Sequence, residues 1–183
     1  MFIQTESTPN PSTLKFLPGR PVLAEGAREF RTPEAAAASP LAGALLSIDG
    51  VEAVMFGPDF VSVTKTDAEW AHLKPAILGT IMEHFSSGQP IVIEGAETAP
   101  AEFFDPADAE TVAQIKELIV TRVRPAVAND GGDITFRGFR DGTVYVAMKG
   151  SCSGCPSSTA TLKNGIENML RHFVPQVTSV QQV

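Results

Sequence analysis

The sequence predicts an α+β fold made of two small domains joined by a flexible linker. Helix-like stripes and strand-like runs occur on both sides of Ala96–Pro106, a stretch rich in proline, alanine and acidic residues that has no hydrophobic periodicity. With 183 residues, the chain is long enough to bury one large core or two small ones. We therefore expect a first domain over residues 1–95, a linker over 96–105 and a second domain over 106–183.

The first domain is predicted to begin with strands at Phe2–Thr5 and Leu14–Leu17, separated by a proline-rich turn. Ser39 followed by Pro40 is typical of a helix start, because serine caps free backbone N–H groups and proline already has a helical φ. We expect that helix to end at Gly50.

A hairpin and a long helix are predicted to complete the first domain. Val51–Phe56 and Phe60–Thr64 flank a turn of Gly, Pro and Asp. Thr66 and Glu69 match a capping box for the helix that follows. Its buried face is predicted from apolar residues that recur every three or four positions, namely Trp70, Leu73, Ile77, Ile81 and Phe85.

The second domain is predicted to have the order helix, strand, strand, helix, with a weak strand at Val177–Val183. Asp105-Pro106 indicates the first helix start, and Gly131-Gly132 ends that helix. Strands at Asp133–Phe139 and Thr143–Lys149 form a hairpin. The two helices are expected to bury apolar stripes, which are Val112, Ile115, Ile119 and Val123 in the first, and Leu162, Ile166, Leu170 and Phe173 in the second.

The composition argues against nucleic-acid and membrane proteins. The net charge is −7, whereas nucleic-acid-binding proteins usually have a basic surplus. Apolar stretches are short and broken by proline or charge, so we expect no segment that spans a bilayer. Met1–Glu6 lacks the cationic start and apolar core of a signal peptide, which indicates a reducing compartment.

The two cysteines of the chain form one Cys-x-x-Cys motif, Cys152-Ser153-Gly154-Cys155. They are candidate metal ligands, although a tetrahedral zinc ion or an iron–sulfur cluster usually takes four protein ligands. Pro156 indicates a helix start, whose free N–H groups and dipole are expected to lower the pKa of the Cys155 thiol. Because neither cysteine lies on a predicted core face, we expect both thiols to be accessible to solvent.

The residues leave the missing ligands open. His72, His84 and His172 are interpreted as surface residues of helices; His172 lies about 25 Å along the helix that follows the motif. The aspartates at positions 130, 133 and 141 are more typical of turns and caps. Two chains related by a two-fold axis would supply four thiolates. The alternative from another class is a dithiol/disulfide oxidoreductase, since strand, Cys-x-x-Cys and helix also form thioredoxin-like sites.

The second domain resembles the C-terminal domain of NifU-type proteins, the Nfu family of iron–sulfur cluster carriers. The resemblance rests on Arg124-Pro125, Asp130-Gly-Gly-Asp-Ile134, the run Gly150–Ser158 around the cysteines, and Thr161–Leu170. The opening Gln4–Phe16 resembles the N-terminal domain that precedes it in the bacterial and mitochondrial Nfu type.

This resemblance implies a cluster carrier without catalytic turnover. Cys152 and Cys155 of two chains would hold a [4Fe–4S] cluster between them in a homodimer, with a [2Fe–2S] cluster or adventitious zinc as other occupants of the same thiols. It also implies an upstream cluster-assembly scaffold as donor, apo iron–sulfur proteins as acceptors, and a partner-recognition or regulatory N-terminal domain. The expected location is the bacterial cytoplasm, or the mitochondrion for a mature organelle form.

Overall fold

The computed structural model of the chain describes residues 1–93, 101–153 and 156–183. Contacts divide the chain into two compact units, Met1–Glu97 and Thr98–Val183. Each unit contains one sheet and its own helices, so the predicted α+β class is confirmed. The predicted linker at 96–105 lies, as far as residue 100, outside the described residues. None of the helices in the described ranges is long and apolar enough to cross a membrane.

The first unit is a five-stranded antiparallel sheet with three helices. Its strands are β1 Gln4–Ser7, β2 Thr13–Leu17, β3 Arg28–Phe30, β4 Val51–Phe56 and β5 Val61–Lys65, in the spatial order β1-β2-β5-β4-β3. Its helices are α1 Pro33–Ala36, α2 Pro40–Leu46 and α3 Trp70–Ser87. Buried side chains of β2, β4 and β5 pack against those of α2 and α3 to form one apolar core.

Most of the predicted elements of this unit are confirmed, although α2 ends at Leu46 rather than at Gly50, and two side-chain expectations are wrong. Ser39 caps α2, since its side chain accepts a hydrogen bond from the N–H of Ala42. The predicted capping box is absent: α3 begins at Trp70, and its N-cap Glu69 makes no side-chain capping bond. Thr66 instead donates from both its backbone N–H and its hydroxyl to the carbonyl of Gly50, so it closes the preceding loop.

His84 is the second wrong expectation, because it lies on the buried side of α3 rather than on the helix surface. Burial lowers the pKa of its imidazole, and a hydrogen bond to the backbone of Gln89 acts in the opposite direction. The sequence also gave no prediction of β3 or α1, which are three and four residues long.

The second unit has a three-stranded sheet in the order β6-β7-β8, covered by helical segments. After a 3₁₀ turn at Pro106–Asp108 come α4 Ala109–Leu118, a π-helical turn at Ile119–Val123 and α5 Arg124–Asn129. The elements that follow are β6 Gly132–Arg140, β7 Thr143–Gly150, α6 Pro156–Phe173 and β8 Ser179–Gln182. Strands β6 and β7 are antiparallel, and β8 runs parallel to β7.

The hairpin predicted in this unit is confirmed, whereas the first predicted helix is divided into a 3₁₀ turn, α4, a π-helical turn and α5. Asp105 caps the 3₁₀ turn by accepting from the N–H of Ala107. The hairpin turns at Asp141 and Gly142, which have φ of 50° and 77°, the left-handed pair that a tight hairpin needs. The π-helical turn ends two residues before Pro125, and the missing N–H of Pro125 interrupts the α-helical ladder.

The buried face predicted for α6 is correct for Ile166 and Leu170 and wrong for Phe173, which is 47% exposed. The helix ends at Phe173, and the chain then turns so that Val174 and Val177 enter the core instead. The guanidinium of Arg122 lies 4.9 Å from the centre of the exposed Phe173 ring.

Phe103 packs against the sheet of the second unit. It forms a parallel bridge with Gly138 of β6, through hydrogen bonds of 3.1 Å and 2.9 Å with Arg137 and Phe139. Its ring lies 5.1 Å from that of Tyr145, and a Cβ added at Gly138 would lie 2.4 Å from the ring. The absence of a side chain at position 138 therefore makes the room that the Phe103 ring occupies.

Candidate metal centre

The predicted ligand Cys152 lies in the turn between β7 and α6. Strand β7 ends at Gly150, whose φ of 66° lies in the left-handed region that favours glycine. The second predicted ligand, Cys155, lies outside the described residues, as does the expected effect of the helix start on its thiol. The structure therefore positions one of the two candidate ligands.

Cys152 is buried, contrary to the expectation of an accessible thiol. It is 6% exposed and belongs to the apolar core of the second unit. Burial raises the pKa of its thiol to about 11, and the charges of Asp130 and Asp133 act in the same direction. A hydrogen bond with Ser151 opposes these effects. The thiol is thus protonated at neutral pH, which makes Cys152 in this position a poor redox nucleophile.

A missing side chain at Gly132 makes the space for this thiol. A Cβ at position 132 would lie 2.4 Å from the Sγ of Cys152 and 3.0 Å from the carbonyl oxygen of Lys149. Gly131, the preceding residue, has a φ of 74° and ends α5, whereas Gly132 is not among the residues with positive φ. Gly131 therefore serves the backbone turn, and Gly132 serves the close approach of Cys152.

Hydrogen bonds tie the cysteine-bearing turn to the turn at residues 130–132. The hydroxyl of Ser151 donates to the carbonyl of Asp130, and the N–H of Ser151 donates to the carbonyl of Gly131 at 3.3 Å. The hydroxyl of Thr159, in α6, donates to the carbonyl of Cys152 at 3.1 Å. Cys152 is thus positioned from both sides of its turn.

An ion pair between Arg124 and Asp133 lies at the end of the turn at residues 130–132. Arg124 of α5 donates two hydrogen bonds to the carboxylate of Asp133, at 2.9 Å and 3.1 Å. The Asp133 side chain is only 5% exposed. Its carboxylate is therefore engaged by the guanidinium, and within the described ranges no group of three His, Cys, Asp or Glu side chains could hold a metal ion.

Sequence reasoning missed the role of Gly132, because the Asp130–Asp133 run was interpreted as a helix end followed by a strand. One signal was present: two successive glycines occur where a helix end needs only one. The second glycine suggests a close contact, although the sequence does not show with what.

Comparison with known proteins places both units in one family. The family description "Scaffold protein Nfu/NifU N terminal" matches residues 3–88, and "NifU-like domain" matches residues 115–181. The chain belongs to the Nfu family. The resemblance expected from the sequence motifs is thereby confirmed, and the NifU-like match contains both the cysteine motif and the Asp130–Asp133 turn.

Relatives of this Nfu chain match it over its whole length. The human protein "NFU1 iron-sulfur cluster scaffold homolog, mitochondrial" is 54% identical over 185 residues, covering 100% of this chain and 72% of that protein. "NifU-like protein 4, mitochondrial" of Arabidopsis thaliana is 53% identical, covering 100% of this chain and 66% of that protein. The solution structure of a NifU-like protein from Saccharomyces cerevisiae matches with a TM-score of 0.47 and 26% identity, covering 52% of this chain and 87% of that one.

Proposed function

We propose that this chain carries an iron–sulfur cluster on Cys152 and Cys155 and transfers it to apo-proteins. The observation that carries the proposal is the match, over the whole of this chain, to a relative named as an iron–sulfur cluster scaffold homologue. The two cysteines of this chain form one motif. Thiolate sulfur is also the ligand that iron–sulfur clusters prefer in proteins. The cluster is cargo in this proposal, and the protein has no catalytic turnover of its own.

The number of cysteines favours a cluster shared by two chains. Cubane clusters usually bind four thiolates, and each chain supplies two. Two chains related by a two-fold axis complete the set. We infer a [4Fe–4S] cluster that links a homodimer, and a chain that is mostly monomeric without it. A [2Fe–2S] cluster or adventitious zinc on the same thiols are the competing occupants.

Transfer is supported by the closeness of the two ligands, which are three positions apart in the sequence of each chain. An acceptor's thiolates can replace them one at a time, because thiolate ligands exchange through attack by an incoming thiolate. An upstream assembly scaffold supplies the cluster, and apo iron–sulfur proteins receive it. We propose that residues 1–95 recognise partners and that 106–183 form the cluster-binding domain. Residues 96–105 are the proposed linker, whose end at Phe103 is held on β6. The mitochondrial names of the relatives support the mitochondrial location over the bacterial cytoplasm.

Anaerobic reconstitution of the full chain with iron and sulfide tests the proposed function. We expect a brown protein with about two irons and two sulfides per chain, as a [4Fe–4S] cluster shared by two chains requires. Variants Cys152→Ser and Cys155→Ser should each lose the colour, while Ser153→Ala should keep it. A colourless protein that reduces insulin disulfides would instead favour the oxidoreductase.

A further inference from the structure

The burial of the Cys152 thiol conflicts with the role of a ligand shared between two chains, which has to be accessible to the second chain. Cys152 is 6% exposed, and its Sγ lies against the backbone of β6 at Gly132. A cluster held between two chains requires sulfur atoms that both chains can bring to a common surface. The thiol therefore needs a second, more exposed position in which to bind.

The space that holds the thiol is built for it. Gly132 has no need of glycine for its backbone conformation, and any side chain there would collide with Sγ. The Arg124–Asp133 ion pair lies directly after Gly132 in the chain and ties this part of β6 to α5. The turn that bears the cysteine is held by hydrogen bonds of the Ser151 and Thr159 hydroxyls and of the Ser151 N–H, and among the described residues no covalent bond fixes the thiol in this space.

We propose that this position is a storage position for the Cys152 thiol, from which the side chain must move before it binds a cluster. Gly132 and Ser151 are positioning residues that keep the thiol there. The storage protects the thiol from oxidants and from stray metal ions while no cluster is bound. This inference rests on the proposed function, because the storage position matters only if Cys152 is a ligand.

The rate at which a maleimide alkylates Cys152 tests the storage position in the metal-free full-length chain. With Cys155→Ser as the parent, Cys152 is the only thiol, and mass spectrometry gives the alkylated fraction over time. We expect the folded parent to react at least tenfold more slowly than the same chain in denaturant. Gly132→Ala should accelerate the reaction at least tenfold, because the added Cβ drives Sγ out of its space.

Gly138→Ala is the matched control. It lies on the same strand, and its Cβ would meet a side chain at the same 2.4 Å, but that side chain is Phe103 rather than Cys152. Its alkylation rate should stay within twofold of the parent rate, which separates release of the thiol from a general loss of stability. A folded Gly132→Ala chain that reacts at the parent rate would overturn the proposal, as would a parent that reacts as fast as the denatured chain.

Ser151→Ala keeps the test decisive if Gly132→Ala does not fold. It removes the hydrogen bond to the Asp130 carbonyl without adding an atom, and we expect the alkylation rate to rise at least threefold. An unchanged rate in this folded variant would then overturn the proposal. These measurements use metal-free protein, so failure to take up a cluster contradicts the proposed function and leaves the alkylation result intact.

Discussion

Strand β6 makes room for a side chain at two places, with different consequences. At Gly132 the missing Cβ admits the thiol of Cys152, and at Gly138 it admits the ring of Phe103. Phe103 is also fixed by two backbone hydrogen bonds, by the Tyr145 ring and by the guanidinium of Arg140. Cys152 is held by the hydrogen bonds of Ser151 and Thr159 and by its burial in the apolar core. A missing Cβ on β6 thus admits a ring at one place and, at the other, a thiol that must move before it binds a cluster according to our proposal.

The largest loss of stability should come from breaking the Arg124–Asp133 ion pair next to Gly132. Arg124→Ala would leave the buried Asp133 carboxylate without its cation, and we expect a loss of about 3 kcal/mol in the free energy of unfolding. Denaturant unfolding followed by circular dichroism measures it. Arg171→Ala, which breaks an exposed pair with Glu167, is the control and should change stability by less than about 0.5 kcal/mol. Equal losses in the two variants would contradict the larger contribution of the buried ion pair to stability.

The next effect is a pH dependence of the free energy of unfolding, which we expect from the thiol of Cys152 and not from the Phe103 contact. The pKa of the buried thiol is raised to about 11, so its contribution to stability is complete below about pH 9 and disappears as the pH rises through 11. Between pH 8 and pH 11 we expect the Cys155→Ser parent to lose about 2 kcal/mol more than the same chain with Cys152→Ala. Urea unfolding at the two pH values gives the difference, and parallel losses in both chains would contradict the burial of the thiol.

At the Gly138 end of β6, Phe103→Ala should lower the stability of the second unit by about 1.5 kcal/mol, because the partial burial of a ring that is 38% exposed and its contact with Tyr145 are lost. The Gly138→Ala substitution should then become nearly harmless, since its added Cβ no longer meets a ring. Unfolding of the single and double variants measures this. If Gly138→Ala destabilised the Phe103→Ala chain as much as it destabilises the parent chain, contact with the Phe103 ring would not be the reason for glycine at position 138.

The smallest effect is the coupling between Gly132 and Cys152. Gly132→Ala should destabilise the chain, and about 1 kcal/mol of that loss should disappear in a Cys152→Ala background, where Sγ is absent. The rest persists because the added Cβ still lies 3.0 Å from the Lys149 carbonyl. A double-mutant cycle gives the coupling energy, and strict additivity would contradict the close approach of the two residues.

Local signals predicted much of the fold. Turn residues located both hairpins, and proline after a capping residue located the starts of α2 and of the 3₁₀ turn at Pro106, because these features depend on the backbone preferences of a few neighbouring residues. Phe173 was misplaced because helical periodicity continues to the last turn, whereas the chain direction after the helix decides which residues reach the core. Strand β3 is too short to show a period and depends on its pairing with β4.

The ligand roles of Cys152 and Cys155 stay a prediction from the sequence, which did not predict the burial of Cys152. Gly and Ser around Cys152 indicate an open polar turn, and the turn does have the polar hydrogen bonds of Ser151. The contact that buries the thiol comes from Gly132 on another strand, and such a long-range contact leaves no periodic trace. In the same way, the docking of Phe103 depends on Gly138, far along the chain.

Native mass spectrometry of the anaerobically reconstituted full-length chain tests the central claim most directly. We predict a species with the mass of two chains, four irons and four sulfides, and single chains once the cluster is removed with a chelator. Cys152→Ser should abolish the dimer, while Gly138→Ala should retain it. A cluster or zinc ion bound to a single chain, or a dimer that persists without metal, would contradict a cluster shared through Cys152 and Cys155.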